Sequence, residues 1–176
     1  MKLLMHMCCA PCSTYPLSSF RGKGIDVTGL FYNPNIHPLD EYKRRLDTIK
    51  EYADIVKLDV LYIDDYMEDV WVNYKNDDLS RCTMCYSLRL DKAASYAKEN
   101  GFDAYTTSLL VSPYQNHDLI KLLGEKFALK YGIEFYYQDF RPFFREGQAM
   151  AKALKLYRQK YCGCIISFND RIQKTN

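Results

Sequence analysis

The stretch Lys2-Leu3-Leu4-Met5-His6-Met7-Cys8-Cys9-Ala10-Pro11-Cys12-Ser13 opens the chain and decides how the rest is read. Lys2 to Cys8 is short and apolar, the pattern of a buried strand rather than of an amphipathic helix. A helix is expected over about 13–21, broken by the turn Gly22-Lys23-Gly24. Three thiols therefore fall where a first strand hands over to a helix. In an open parallel sheet that is where sites form, and the helix dipole there favours thiolate. A glycine-rich phosphate loop is missing at this place, so no ATP site is expected.

The same alternation continues outward. Ile25 to Tyr32 is a second strand, ended by Asn33-Pro34-Asn35. Pro38 suits the first turn of a helix whose Tyr42, Leu46, Ile49 and Ala53 share one face. A third strand is expected around Val56 to Ile63, then a helix over Asp64 to Tyr74 and a polar loop over Lys75-Asn76-Asp77-Asp78. Ser80 can cap the next helix, which stops at Asn100-Gly101. Phe102 to Ser108 is a fourth strand. Asn116 caps a helix with Leu119, Leu123, Phe127 and Tyr131 on one face, and Gly132 ends it. Ile133 to Asp139 makes the fifth strand, and a long last helix is expected over Arg145 to Tyr161, with Met150, Ala153, Leu154, Tyr157 and Tyr161 inward. Strands alternating with helices predict an α/β fold: a parallel five-stranded sheet between helical layers. With no linker or repeat, the 176 residues are expected to form one domain over 1–176.

Hydrophobic residues at 48% and charged residues at 26% exclude a disordered or fibrous chain. No apolar run approaches the roughly 18 residues of a membrane span, and the first residues are too short and strand-like for a secretory signal. A cytoplasmic protein without membrane attachment is expected. The seven cysteines agree with that compartment, because an odd count in tight groups suits metal or redox chemistry better than a secreted disulfide framework. The groups are Cys8, Cys9 and Cys12; Cys82 and Cys85; Cys162 and Cys164. A lone C-x-x-C such as Cys82-Thr83-Met84-Cys85 fits zinc, a cluster or a redox dithiol equally. With Cys8, Cys9 and Cys12 it offers five candidate thiolates, more than one four-coordinate zinc needs, which favours an iron–sulfur centre. Gly163 relaxes the backbone between Cys162 and Cys164, so that pair reads as an easily reduced disulfide, a swinging arm toward the metal, or two idle thiols.

The net charge of +2 hides an asymmetry: residues 141–176 carry eight Lys/Arg against two acids. Arg141, Arg145, Lys152, Lys155 and Arg158 could face RNA phosphates, as could the second basic group Lys43-Arg44-Arg45. A charged stripe opposite an apolar one is also the ordinary solvated face of a surface helix. Among 16 tyrosines and nine phenylalanines, Tyr32, Tyr114 and Phe144 lie where they could stack unpaired bases. His6 reads as a packed strand residue, and neither His37 nor His117 has a partner in sequence that would make it catalytic. The sequence identifies no catalytic acid or base.

Four segments together carry a resemblance: His6-x-Cys8-Cys9-Ala10-Pro11-Cys12; Tyr32-Asn33-Pro34-Asn35-Ile36-His37-Pro38 with Glu41-Tyr42 and Arg45; Arg81-Cys82-x-x-Cys85-Tyr86-x-x-Arg89-Leu90; and Tyr157-Arg158-Gln159-Lys160-Tyr161-Cys162-Gly163-Cys164. In this pattern the chain resembles the QueH family of epoxyqueuosine reductases, nearly end to end. The resemblance implies a Rossmann-like fold, a [4Fe–4S] cluster and an additional mononuclear iron. It also implies reductive deoxygenation of epoxyqueuosine to queuosine at the wobble position of a tRNA anticodon loop, with electrons from a donor the sequence does not identify. As a working assignment, Cys82 and Cys85 are expected on the cluster with at least one of Cys8, Cys9 and Cys12, the rest of that loop on the second iron, and Cys162 and Cys164 as a disulfide or relay pair. Two rivals remain at this level: an iron–sulfur-dependent tRNA sulfur transferase, which would need the missing phosphate loop, and a zinc-stabilised RNA-binding module without catalysis.

Overall fold

A computed structural model of the chain describes residues 1–75 and 77–175; Asn76, in the expected polar loop, lies outside the described residues. Five strands form one parallel sheet: β1 (Lys2–His6), β2 (Asp26–Phe31), β3 (Val60–Tyr62), β4 (Ala104–Thr107) and β5 (Glu134–Phe135). Their order is β3-β2-β1-β4-β5. β1 is central, and Leu3, Leu4 and Met5 are fully buried, which is why this strand reads as an unbroken apolar run. Helices α1 (Ala10–Gly22) and α2 (Leu39–Val56) follow β1 and β2. A short α3 (Glu68–Val72) and the long α4 (Asp78–Glu99) connect β3 to β4, and α5 (His117–Tyr131) connects β4 to β5. After the sheet come α6 (Phe144–Ala153) and α7 (Ile165–Thr175). α1 packs on α2 and α6, and α4 on α5, so the sheet lies between helical layers as expected.

Several boundaries move for local reasons. α1 begins at Ala10 rather than near Ser13, because Pro11 fits its first turn and Cys9 caps it, the Cys9 sulfur accepting from the Cys12 amide at 3.3 Å. α4 is capped by Asp77 rather than Ser80; the Asp77 carboxylate accepts from the Ser80 amide at 2.9 Å. The expected helix over Asp64 to Tyr74 is only the five residues of α3. The fifth strand is two residues long, and beyond it the Thr106 hydroxyl takes over the pairing by donating to the Tyr136 carbonyl at 2.8 Å.

The largest departure is the last helix. α6 stops at Ala153, and Lys155 takes the left-handed conformation at φ 57°. The Leu156 amide donates to the Ala151 carbonyl and the Lys155 amide to the Lys152 carbonyl, both at 3.0 Å. These two bonds make a Schellman motif, with buried Leu156 as its hydrophobic contact. Lysine stands where such a stop usually has glycine, so the sequence hides it. Tyr157 and Tyr161 consequently lie beyond the helix instead of on its inward stripe, and Gly147 and Ala151 are its buried residues. The chain from Leu156 to Cys164 has no regular structure, and α7, not expected from the sequence, closes the described part.

Candidate metal centre

The strand order reverses at β1, whose neighbours are β2 and β4. Beyond the C-terminal ends of these central strands, at the topological switch point, the Cys8 amide donates to the Ser108 hydroxyl at 2.9 Å, joining the loop after β1 to the turn after β4. His6 stiffens this junction: one ring nitrogen meets the Thr107 hydroxyl at 2.9 Å and the other meets the Tyr32 carbonyl and Asn33 Oδ1, each at 3.1 Å. It is fully buried, and burial with the nearby Arg89 charge pushes its pKa down to about 4. It is a strut in the core, as its place in the strand predicted.

The sulfurs of Cys8, Cys9 and Cys12 lie within 4.8 Å of one another, a grouping able to hold a metal ion. Hydrogen bonds from Cys12 and Cys9, helped by the Ser108 hydroxyl at 3.1 Å, hold the Cys8 thiol well below the ordinary thiol range. Burial pushes Cys9 up, and the bond to Cys8 pushes Cys12 up, so negative charge within this loop settles on Cys8. Gln159, from the irregular segment after α6, reaches over and donates to Cys9 Sγ at 2.8 Å.

Three distant stretches meet in a cavity lined by Cys8, Cys12, Cys82, Cys85, Cys162 and Cys164. Cys9 stands behind this wall, 1% exposed. Cys82 and Cys85 come from the second and third turns of α4, and burial raises both thiols. All seven cysteines are free thiols, including the expected disulfide pair. Cys162 and Cys164 share the Ser167 hydroxyl at 3.0 and 3.5 Å. The hydrogen bond from Cys164 brings Cys162 down to about 6, and the same bond pushes Cys164 up.

Sequence reasoning gave no role to the group that balances these sulfurs. Arg89 is 4% exposed and donates to Cys85 Sγ at 3.2 Å and to the Cys85 carbonyl at 3.1 Å. Among the described residues no carboxylate pairs with it. A buried, unpaired cation is costly, and an anionic, thiolate-held centre in the same cavity would offset it. Three buried polar atoms on the cavity wall, Asn35 Oδ1, Trp71 Nε1 and Arg81 Nε, also have no partner among the described residues. The residues present therefore fit a thiolate-bound metal centre. The signal for Arg89 was available, since it stands four residues after Cys85 on one helical face.

The basic residues divide. Lys43, Arg44, Arg145, Lys152, Lys155 and Arg158 are exposed. Arg141 is exposed but forks onto Asp139, with its closest contact at 2.7 Å. Arg45, expected on an RNA-facing group, is corrected by the structure: it is 3% exposed, with its Nε on Glu41 at 2.8 Å and its two terminal nitrogens on the Cys162 and Tyr161 carbonyls at 3.0 Å. The fourth-residue spacing from Glu41 turns it inward, where it holds the C-terminal cysteine loop. His37 works beside it. Its amide donates to the Gly163 carbonyl at 2.7 Å and its Nδ1 accepts from the Ile165 amide at 3.0 Å, while Nε2 donates to the Pro34 carbonyl at 2.9 Å.

A family model described as "Epoxyqueuosine reductase QueH" matches residues 3–170. The chain belongs to that family. The QueH epoxyqueuosine reductase of Dehalococcoides mccartyi is 34% identical over 176 residues, covering 99% of this chain and 97% of the relative. That of Histophilus somni is 38% identical, covering 96% and 73% respectively. A solved deacetylase from teicoplanin biosynthesis shares the fold with a TM-score of 0.54 at 9% identity, covering 88% of this chain and 83% of its own. Members of the QueH family are oxidoreductases by name, and among the described residues no helix is long and apolar enough to cross a membrane.

Proposed function

We propose that this chain, working as one domain over residues 1–176, reduces epoxyqueuosine at the wobble position of tRNA to queuosine. The observation that carries this reading is the convergence of six thiols from three distant stretches on one cavity that also buries an arginine with no carboxylate partner among the described residues. The reaction breaks both C–O bonds of the epoxide and forms a C=C bond. It consumes two electrons and two protons, and the oxygen leaves as water. A [4Fe–4S] cluster with a neighbouring iron, when bound, supplies low-potential electrons in single steps and a Lewis acid for the departing oxygen. Cys82 and Cys85 hold the cluster with at least one thiol of the Cys8–Cys12 loop, and the rest of that loop holds the iron. Arg89 offsets their negative charge, and the Gln159 amide fixes the Cys9 sulfur in place.

Cys162 and Cys164 serve as the redox pair that passes electrons from an external donor. Lys43, Arg44, Arg145, Lys152, Lys155 and Arg158 hold phosphates of the anticodon arm, with Arg141 once its Asp139 contact is exchanged for phosphate. The family's activity and the absence of a phosphate loop favour this reading over a sulfur transferase. The protein works in the cytoplasm, where its thiols stay reduced and its tRNA resides. The test is to incubate anaerobically prepared, iron-loaded protein with a reductant and epoxyqueuosine-containing tRNA, then weigh the nucleosides. Loss of one oxygen mass is expected; an unchanged nucleoside overturns the proposal.

A further inference from the structure

A second, partly open cavity adjoins the cysteine chamber. The two share Cys12, Ser112, Gln115, Gln159 and Cys162 as a common wall. On its far side, Lys160 and Tyr161 also line a third groove, where Arg44, Arg158 and Arg171 outnumber Asp40 and the Arg45-paired Glu41. Three spaces therefore run in series: a basic groove, an antechamber lined by amides and aromatic rings, and the chamber of thiols. That sequence matches the parts of a nucleotide, with phosphate, base and reacting side group.

The antechamber walls are specific. Tyr114 is 83% exposed, and its ring packs edge-on against Phe144 with centroids 5.6 Å apart. A large aromatic surface standing in solvent beside a pocket is a stacking platform for an unpaired base. Gln115, on the wall the two cavities share, accepts the Tyr86 hydroxyl on its Oε1 at 2.6 Å, which pins the amide and leaves its NH₂ without a partner among the described residues. Gln148, on α6, makes no side-chain hydrogen bond among the described residues, so its amide is free to accept as well as donate.

We infer that this antechamber reads the wobble base itself, a guanine-type ring turned out of the anticodon stack, through Tyr114, Gln115 and Gln148. The inference rests on the reductase reading for the identity of the base, but not for the binding it predicts. The Gln115 NH₂ complements the carbonyl oxygen of a guanine-type ring. Gln148 accepts from the ring N–H and amino group on the same edge. Cytosine presents an amino donor where guanine has a carbonyl, so it would face Gln115 donor to donor. With the base held there, the substituent it carries extends across the shared wall toward the thiols.

The test is anisotropy binding of the iron-loaded protein to an anticodon stem-loop RNA carrying guanosine, queuosine or cytidine at the wobble position. The wild type is expected to prefer the two guanine-type loops by about ten-fold. Gln148→Ala should shrink that preference several-fold. Tyr114→Ala should weaken all three loops by about ten-fold, with Tyr114→Phe restoring them. Neither side chain touches a sulfur, so the visible iron absorbance should not change and serves as the control for folding. Equal affinity of the wild type for guanosine and cytidine loops, or a preference that survives Gln148→Ala, overturns the pocket. Nucleoside mass in the same preparations separates the two claims. A base preference without oxygen loss leaves the pocket and sinks the reductase, and oxygen loss without a preference does the reverse.

Discussion

The two cysteine loops that face each other across the cavity are placed by opposite means. Cys8, Cys9 and Cys12 sit between the central strand and its helix, so backbone geometry that any parallel sheet supplies puts them in position. Cys162 and Cys164 sit in an irregular segment positioned by side chains from elsewhere: Arg45 and Glu41 on α2, and His37 before it. Tyr157 joins this support by donating to the Glu41 carboxylate at 2.9 Å. The first loop has the stability of the sheet, whereas the second depends on a few side-chain bonds, chiefly from Arg45 and His37. The proposed roles follow this contrast, with rigid metal ligands on the first side and an electron-exchanging pair on the second.

The difference is sharpest in the metal. Cys8→Ala or Cys85→Ala is expected to remove most of the iron and its visible absorbance, whereas Cys162→Ala should keep most of the iron while turnover falls. Metal analysis beside single-turnover assays decides this, and loss of iron in Cys162→Ala as complete as in Cys8→Ala would erase the division proposed here.

Arg45→Ala attacks the support of the second loop alone. It leaves the Glu41 carboxylate, 12% exposed, without its ion pair and strips two carbonyls of their donor, at a cost of about 3–5 kcal/mol. Arg45→Lys should recover little, since an ammonium cannot span three acceptors. Denaturant unfolding gives the size, and limited proteolysis should cut after Leu156 while the sheet survives.

Gly163→Ala presses on the same loop more gently. Gly163 has φ +142°, and a Cβ there would stand 3.2 Å from an Arg45 nitrogen and 3.3 Å from the Asn35 amide, so about 1–3 kcal/mol of destabilisation is expected. Gly101→Ala, with φ +71° but open space around it, should cost less, and the gap between the two melts measures the crowding. Smallest of all, Asp77→Ala removes the cap of α4 for about 1 kcal/mol, without touching iron content.

Most of the sheet was legible because buried strands and amphipathic helices leave periodic patterns. The order of the five strands, the Asn116 cap and the Gly132 stop follow those patterns, although β3 and β5 are shorter than expected and Val56 ends α2. The C-terminal quarter was not legible for a specific reason. Lys155 adopts a left-handed conformation that sequence rules expect of glycine, so a helix that ends at Ala153 looked eight residues longer. In the site, the grouping of cysteines was plain from their spacing. The burial of Arg45 was not, because a basic run reads as solvated unless the fold supplies carbonyls to face it.

By itself the sequence determined the parallel α/β order, the placing of the first three thiols at a strand-to-helix turn, and membership of a cysteine-dependent reductase pattern, since each is written in local spacing. Only the tertiary structure decided that the second and third cysteine groups meet the first. It also decided that Arg89 is buried with no carboxylate partner among the described residues, and that a second cavity joins the thiols to a groove rich in basic residues. Those facts depend on contacts between residues up to about 150 positions apart, such as Gln159 on Cys9, and short-range periodicity carries no record of them.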